Sequence, residues 1–414
     1  MSATPAQPAA DFLALFDARA EDSFHEARAS AARAFAAAGI PGRRLEAWKY
    51  TDLRPLAALP VRLAPEITDV ARLAAMLPAI AAPRIVFVNG KFSESLSTFS
   101  DGKIFSGLAA APSLASHENA PLAALNTMLA EDGAVIRVPE NVDGGTLVLV
   151  HLTIASVDAP VFSASRYRID LAPGAALNVI EYSSGQGVYW NNPVSEIALA
   201  EGARLGHVRI QAESVEGFQT ATLFADLLGG ARYEAFTLGL GARLARSETQ
   251  LRLAGAGAIA HMDAAQLLAG AQHGDVTTVV AHDAPGCASR QTVKNVLDGR
   301  ARAVFQGRIE VARAAQKTDG YQMSQALLLS PDAEIDCKPE LEIFADDVKC
   351  SHGATVGALD PEQMFYLRAR GIPGDLARRM LIRAFLAEAI ENVADVPARA
   401  LLEDTIDAWW EQGR

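Results

Sequence analysis

Cys350 and His352 are the residues of this chain whose types and spacing best suit metal or iron–sulfur chemistry. A thiolate and an imidazole two residues apart can share a metal ion or an iron–sulfur species. A closed tetrahedral site needs four ligands, and the surrounding segment supplies too few of them. The sequence therefore predicts half of a site here, although spacing alone favours a strand-end histidine beside a small buried thiol.

Other titratable residues support weaker hypotheses. Cys287 and Cys337 belong to no CxxC pair, and we expect both to be inert buried thiols. His282 is followed by Asp283, a pattern more typical of a turn than of a metal site. None of these residues is predicted to hold a metal ion.

Glu340 and Glu342 alternate along a predicted strand and would share one face, as the carboxylates of a carbohydrate-active solenoid enzyme do. A charge row that protects a sheet edge is the commoner explanation. The sequence has neither a G-x-x-x-x-G-K-[ST] phosphate loop nor a G-x-S-x-G nucleophile motif. We therefore expect no ATP hydrolysis by this chain.

The composition limits which kinds of partner and which cellular compartment are expected. The 414 residues are 50% hydrophobic, enough for a large core and more than one structural unit. A formal charge of −12 and a pI near 5.2 disfavour a nucleic-acid partner, whose phosphates would be repelled. Three cysteines without a disulfide pattern, a start unlike a signal peptide and no bilayer-length apolar run predict a cytoplasmic protein with no membrane partner.

The first third of the chain has a mixed pattern. Residues 11–38 form an Ala-rich helical pattern that ends at Gly39. A short strand is predicted at 84–89 and a helix at 121–130. These elements indicate a helical or mixed unit ahead of the β-rich middle.

A repeat runs through that middle region, which begins at Gly133. Glycine–alanine pairs that start at Gly174, Gly202, Gly230 and Gly257 follow one another at spacings of 28, 28 and 27 residues. Apolar residues stand three and six positions after the first three of these glycines. Such a period, made of strands and glycine turns, favours the stacked coils of a β-solenoid over a β-sandwich with similar turn spacing.

The C-terminal part is helical. Asp360 is predicted to cap one helix, and two more are predicted over 375–393 and 398–410. The apolar residues of 375–393 lie on several faces, so its own domain or a partner must cover this helix. Trp409 and Trp410 fit a core plug and an interface anchor equally well.

Several segments of the chain match a known family in the same order. They are residues 44–51, 86–90, 304–309, 315–319, 338–343, 346–357, 365–368 and 370–372. In these segments the chain resembles the SufB/SufD family of iron–sulfur cluster assembly subunits. The likeness is dense after Thr278 and sparse between Gly145 and Val276.

The resemblance implies a fold that is mainly β with α-helical ends, with a right-handed parallel β-helix between two helical domains. The expected domains are an N-terminal helical or mixed domain at 1–132, a β-helix core at 133–353 and a C-terminal helical domain at 354–414. The last of these would dock an ATPase subunit. The chain itself would be a scaffold subunit and not an enzyme.

The resemblance also implies site residues and partners. In the family, a histidine at the position of His352 lies at the interface with the paralogous subunit SufB and takes part in building the nascent cluster. His352 would then be a cluster ligand or a proton-handling neighbour, and Cys350 a supporting thiol. No cofactor would be bound permanently, because the iron–sulfur cluster is transient and shared with SufB. The ATPase would be the separate subunit SufC. Candidate partner-binding residues are Phe365, Tyr366, Arg368, Arg370 and Gly371.

Within the family, the segment CSHGAT resembles the SufD type, since SufB-like chains carry Glu in this pattern and a further cysteine in the β-helix. Cys337 is a departure, because a residue other than cysteine is expected there. The main alternative is a homodimeric β-solenoid binding module that uses the same edge against a second copy. That module would have no role in cluster assembly.

Overall fold

The computed structural model describes residues 7–60, 62–67, 69–98, 105–107, 120–156 and 158–411. Two long sheets form a parallel β-helix of about eight turns, with helices before and after it. The predicted architecture, mainly β with helical ends, is confirmed. Its right-handedness stays a prediction. Residues 1–6, which are half of the segment compared with a signal peptide, lie outside the described residues.

Helices occupy both ends of the described chain. None of them is long and apolar enough to cross a membrane. Short 3-10 helices lie at Glu46–Trp48 and Glu94–Leu96. The α-helices are α1 (Gln7–Asp17), α2 (His25–Ala38), α3 (Arg54–Ala57), α4 (Val70–Ala74), α5 (Pro121–Leu129), α6 (Pro361–Ala369), α7 (Gly374–Ile390) and α8 (Val396–Glu411).

The strands alternate between the two sheets from β8 onward, apart from short β9. They are β1 (Arg84–Val88), β2 (Lys91–Phe92), β3 (Phe105–Gly107), β4 (Asp132–Val138), β5 (Asp143–Ile154), β6 (Val161–Ser163), β7 (Ser165–Leu171), β8 (Ala176–Gln186), β9 (Tyr189–Asn191), β10 (Val194–Leu199), β11 (Arg204–Ala212), β12 (Phe218–Leu227), β13 (Arg232–Gly239), β14 (Leu244–Leu253), β15 (Ile259–Leu268), β16 (His273–His282), β17 (Ala288–Leu297), β18 (Arg302–Val311), β19 (Thr318–Leu328), β20 (Glu334–Ile343) and β21 (Val348–Gly357).

The first sheet has the order β2-β1-β5-β8-β11-β13-β15-β17-β19-β21. The second has the order β20-β18-β16-β14-β12-β10-β7-β4-β3, with β6 and β9 attached beside β12. Neighbouring strands within the β-helix are parallel, and a parallel neighbour needs a crossover connection. Here the crossover is the strand of the opposite sheet, which is why the chain coils.

The glycine repeat predicted from the sequence sets the turns between coils. Gly174, Gly202, Gly230 and Gly257 all have φ between 65° and 71°, a conformation that glycine adopts without steric cost. The apolar residues three positions later then stack in register. Leu205 lies opposite both Leu177 and Tyr233 and is buried with them in the core.

The helical pattern at 11–38 is two helices, not one. It breaks before α2 because the Asp22 carboxylate accepts a hydrogen bond from the Phe24 amide at 2.9 Å and pairs with Arg28 at 2.9 Å. An aspartate that bonds the nearby backbone competes with helical hydrogen bonding. The predicted end is confirmed, since Gly39 follows α2 with a φ of 68°.

Helices α7 and α8 cover the outer face of the first sheet. Ile382 and Leu386 share a buried cluster with Phe236 of β13. The rings of Trp409 and Trp410 lie 4.7 Å apart in the same cluster, and both side chains are buried. Of the two interpretations of this tryptophan pair, the core plug agrees with the packing.

Candidate functional site

The β-helix is open at its C-terminal end. β21 is the last strand of the first sheet and β20 the last strand of the second. Beyond them, no further strand of the described part of the chain continues either sheet. Side chains that point to the interior are therefore uncovered on one side at this end.

His352 lies within β21, which runs to Gly357, past the predicted end of the core domain at 353, because its backbone stays paired with β19. The register puts His352 opposite Gln322 of β19, on the inward-facing row. Gln322 is fully buried, whereas His352 is exposed. The histidine is exposed because no coil lies above it.

Cys350 points inward on the same strand face as His352. Its sulfur packs close to Gly320 of β19, where an added Cβ would lie 3.3 Å from Sγ, and it joins a cluster with Ile309 and Leu341. This burial raises the pKa of the Cys350 thiol. The thiol is therefore protonated at neutral pH and becomes a ligand only when a metal displaces the proton.

Of the other two cysteines, Cys337 is half-buried, as Cys350 is, and Cys287 is buried. Cys337 faces the interior from β20, opposite Phe305. Burial raises the pKa of its thiol by more than a hydrogen bond to Ser324 lowers it. Cys287 is fully buried, and its thiol donates to the Gly255 carbonyl at 3.3 Å. Within the described ranges, no group of three or more Cys, His, Asp or Glu side chains could hold a metal ion.

An N-terminal strap, residues 46–51, crosses the outer face of the second sheet. Trp48 is buried, and its ring covers the Arg246 guanidinium at 3.9 Å. Arg246 and Asp275 form a buried ion pair at 2.5 Å, with side chains 1% and 0% exposed. The Thr51 hydroxyl donates to the same Asp275 carboxylate. The strap is thus tied to the middle of the β-helix by buried, charge-assisted contacts.

The strap also reaches the last coil. Glu46 pairs with Lys338 of β20 at 2.7 Å, and Lys338 pairs with Glu340 at 3.1 Å. Glu342 lies 3.8 Å from Arg308 of β18. These contacts agree with the interpretation of Glu340 and Glu342 as a charge row on an edge strand.

Helix α6 presents the second candidate surface. It buries none of its residues, and Phe365 and Tyr366 are 74% and 57% exposed. The Asp360 side chain caps its first turn, as predicted, by accepting from the Glu362 amide at 2.8 Å. Arg370 lies over the Tyr366 ring at 4.9 Å. Arg368 and Gly371 are exposed as well, and Gly371 has a φ of 82° where the helix ends. Exposed aromatic side chains of this kind mark interaction surfaces.

Two family models match almost the whole chain. The SufBD protein N-terminal region matches residues 10–148, and the SufBD core domain of the SUF system for FeS cluster assembly matches residues 153–385. The chain belongs to the SufBD family. The resemblance stated from the sequence is confirmed, and it gives this SufBD chain a role in iron–sulfur cluster assembly by the Suf system.

Individual relatives agree with the family models. The SufBD chain is 35% identical over 369 residues to the iron–sulfur cluster assembly protein SufD of Escherichia coli, covering 86% of each chain. It is 33% identical over 381 residues to an iron–sulfur cluster assembly SufBD family protein of Synechocystis sp., covering 86% of this chain and 84% of that one. A SufD of Bacillus subtilis is 28% identical over 284 residues, covering 66% and 63%.

Proposed function

We propose that this chain is the SufD-type scaffold subunit of a SufBCD-type complex. Its open β-helix end and a SufB-like subunit together form the cluster assembly site. His352 is a cluster ligand or a proton-handling neighbour in that site, and Cys350 is a supporting thiol. The iron–sulfur cluster is cargo that is built there and passed on. The chain contributes no catalysis of its own.

The observation that carries this proposal is the exposure of His352 in a row that is otherwise buried. Gln291 and Gln322 precede it on the same inward-facing row, and both are fully buried. A second β-helix end against β21 would cover the row and put ligands of the partner opposite His352. Because neither half holds enough ligands alone, separation of the subunits would release the cluster.

The two free edges are not equivalent. The amides of Glu334 and Phe344 donate to the carbonyls of Ala301 and Val311 at the two ends of β18. The alternate residues of β20, which include Pro339, therefore face the free edge. Proline has no amide proton, so this edge lacks a donor at its centre. The amide of Asp319 in β19 donates to the Cys287 carbonyl just before β17, so the alternate residues of β19 bond to β21. By the register of β19 with β21, the amide of His352 then faces the free edge of β21. We infer that a partner strand pairs with β21 and not with β20.

We further propose that the SufC-like ATPase docks on α6. The exposed side chains of Phe365 and Tyr366 offer an aromatic surface, and Met380 of α7 beside it is 43% exposed. The packing of α7 on the first sheet connects this surface to the β-helix. Movement of the ATPase subunits on ATP binding would pull on the C-terminal helices and reshape the cluster site.

The test is anaerobic co-expression with the SufB-like and SufC-like proteins of the same host, comparing the wild-type chain with His352→Ala. Ser351→Ala, on the opposite face of β21, is the matched control. We expect an intact complex in all three cases, with iron and sulfide lost only from His352→Ala. An intact complex with unchanged iron would make His352 structural. A wild-type chain that forms no complex would remove the scaffold proposal.

An edge variant tests whether the partner pairs with β21. Ala354→Pro removes an amide at the free edge of β21 without removing a bond to β19, and Ala354→Ser keeps that amide. We expect the proline variant to lose the SufB-like partner and the serine variant to retain it. A wild-type chain that keeps its self-partner when SufB-like and SufC-like proteins are present would favour the homodimeric module.

A further inference from the structure

A groove of about 680 Å³ lies between the outer face of the first sheet and the loop that joins α7 to α8. Its floor is apolar, with Val208 and Phe236 buried beneath it. Its roof includes Asn392 and Val393, which follow α7. Its size and its mixture of an apolar floor with a few polar groups are those of small-molecule sites. No residue of β19, β20 or β21 lines the groove, so it is separate from the proposed cluster site.

Two arginines stand at the rim of this groove. Arg204 of β11 lies directly opposite Arg232 of β13, and both are exposed. Neither guanidinium has an ion pair or a hydrogen bond with a residue that the structure describes. Adjacent strands are roughly 4.8 Å apart, and like charges directly opposite each other repel. The pair therefore concentrates positive charge that an anion would neutralise.

The acidic side chains near the arginines are mostly committed to their own loops. Asp143 accepts a hydrogen bond from the Gly145 amide at 2.9 Å. Asp395 accepts from the Thr146 hydroxyl and the Ala398 amide, both at 2.8 Å. Neither carboxylate forms an ion pair with Arg204 or Arg232 among the residues that the structure describes.

Polar groups also line the apolar floor. Gly206 lies between Asn178 and Glu234 on the same strand face, and an added Cβ there would collide with the Asn178 amide oxygen. Gly206 thus leaves room for the Asn178 side chain, whose amide stands beside Arg204 on this face. Glu234 is exposed and makes no ion pair with a described residue, so it can accept a hydrogen bond from a ligand hydroxyl.

We propose that this groove binds a small phosphate monoester with a flat apolar body. A phosphate monoester carries a charge near −2 at neutral pH, which matches two guanidinium groups that each bind it in a fork. The apolar body lies over Val208 and Phe236, under the loop after α7. Because one wall belongs to the β-helix and the other to the C-terminal helices, the bound ligand links these two parts of the chain.

The experiment is calorimetric titration of the full chain with phenyl phosphate, inorganic phosphate and phenol. Arg204→Gln/Arg232→Gln is the test variant. Arg300→Gln/Arg313→Gln, which removes two exposed arginines outside the groove, is the charge-matched control. Unchanged melting temperatures confirm that both variants are folded.

We expect phenyl phosphate to bind at least about tenfold more tightly than inorganic phosphate or phenol. That binding is lost in the test variant and kept in the control. Equal affinity for inorganic phosphate would overturn the proposal, because the apolar floor would then contribute nothing. Equal binding by the test variant, or no binding of phenyl phosphate at millimolar concentration, would overturn it as well.

Discussion

The middle of the β-helix and its last coil are built from the same repeat but differ in what covers them. In the middle, each inward row is closed by the coil above it, so even Gln322 is fully buried. One strand later, His352 stands in the same row and is exposed. On the outside, α7 and α8 cover the middle of the first sheet, whereas Ser351 and Thr355 on the outer face of β21 are exposed. The comparison indicates that the middle is complete in one chain and the last coil is completed by another.

The largest expected effect is in the middle, at the buried ion pair beneath the strap. Arg246→Ala leaves the Asp275 carboxylate, which is fully buried, without its cation. We expect this variant to lose about 3–5 kcal/mol of unfolding free energy in urea titrations. Arg252→Ala, which breaks exposed pairs with Asp226 and Asp283, should lose at most about 1 kcal/mol. Equal losses of unfolding free energy in the two variants would contradict the distinction between the buried and the exposed ion pairs.

Apolar side chains should show the same contrast. Ile309 of β18 is fully buried beneath the last coil, and Ile309→Ala should lose about 2–5 kcal/mol through lost burial and a cavity. Val356→Ala removes exposed apolar atoms, and we expect a change within about 0.5 kcal/mol. Urea unfolding of both variants checks this. A large loss from Val356→Ala in the isolated chain would mean that the last coil is already covered.

The stability of the middle should also depend on pH. Glu181 lies inside the β-helix, 3.5 Å from His151 and 3.3 Å from His207. Burial raises the pKa of Glu181, but the hydrogen bond from His207 and the charge of His151 more than offset this and lower it from 4.5 to about 2. Burial lowers the pKa of both histidines.

A carboxyl group whose pKa is lower in the folded chain than in the unfolded chain stabilises the fold at any pH above the unfolded pKa. This stabilisation is lost as the pH falls through the folded pKa. Glu181 should therefore contribute roughly 3 kcal/mol that disappears between about pH 4.5 and pH 2. The buried histidines make the free energy of unfolding begin to fall at a higher pH, because in the unfolded chain they take up protons near pH 6.5. Free energies of unfolding measured from pH 7 to pH 3 should fall, with a flatter slope below pH 4.5 for Glu181→Gln. An unchanged slope would contradict this account.

The smallest effect is expected where the strap meets the last coil. Lys338 pairs with Glu46 and Glu340 at a partly exposed position. Lys338→Ala should lose at most about 1 kcal/mol, because exposed ion pairs contribute little. Its loss should shrink further at high salt. A loss as large as that of Arg246→Ala would show that the strap depends on the last coil.

The sequence predicted the β-helix well, because its determinants are local. The turns depend on the residues within them, Gly174, Gly202, Gly230 and Gly257, and not on distant contacts. The spacing of these glycines can be read directly from the sequence. The break after α1 was missed because Ala-rich helical periodicity continues through it, while one side chain, Asp22, bonds the backbone instead.

The candidate site was predicted less completely. Cys350 and His352 were selected by residue type, but their shared inward face follows from the register with β19, which no local pattern specifies. The contact between Glu46 and Lys338 joins residues almost three hundred positions apart. Both residues lie in segments that resemble the family, yet nothing in the sequence shows that these segments meet.

Hydrogen–deuterium exchange of the β21 amides tests the central claim most directly. The chain alone, diluted until mass photometry shows a monomer, is compared with the chain in complex with its SufB-like and SufC-like partners. We predict slower exchange at the amides of Cys350, His352 and Ala354 in the complex, and unchanged exchange along the free edge of β20. A complex that forms without slowing exchange in β21 would contradict the claim that a partner completes the last coil.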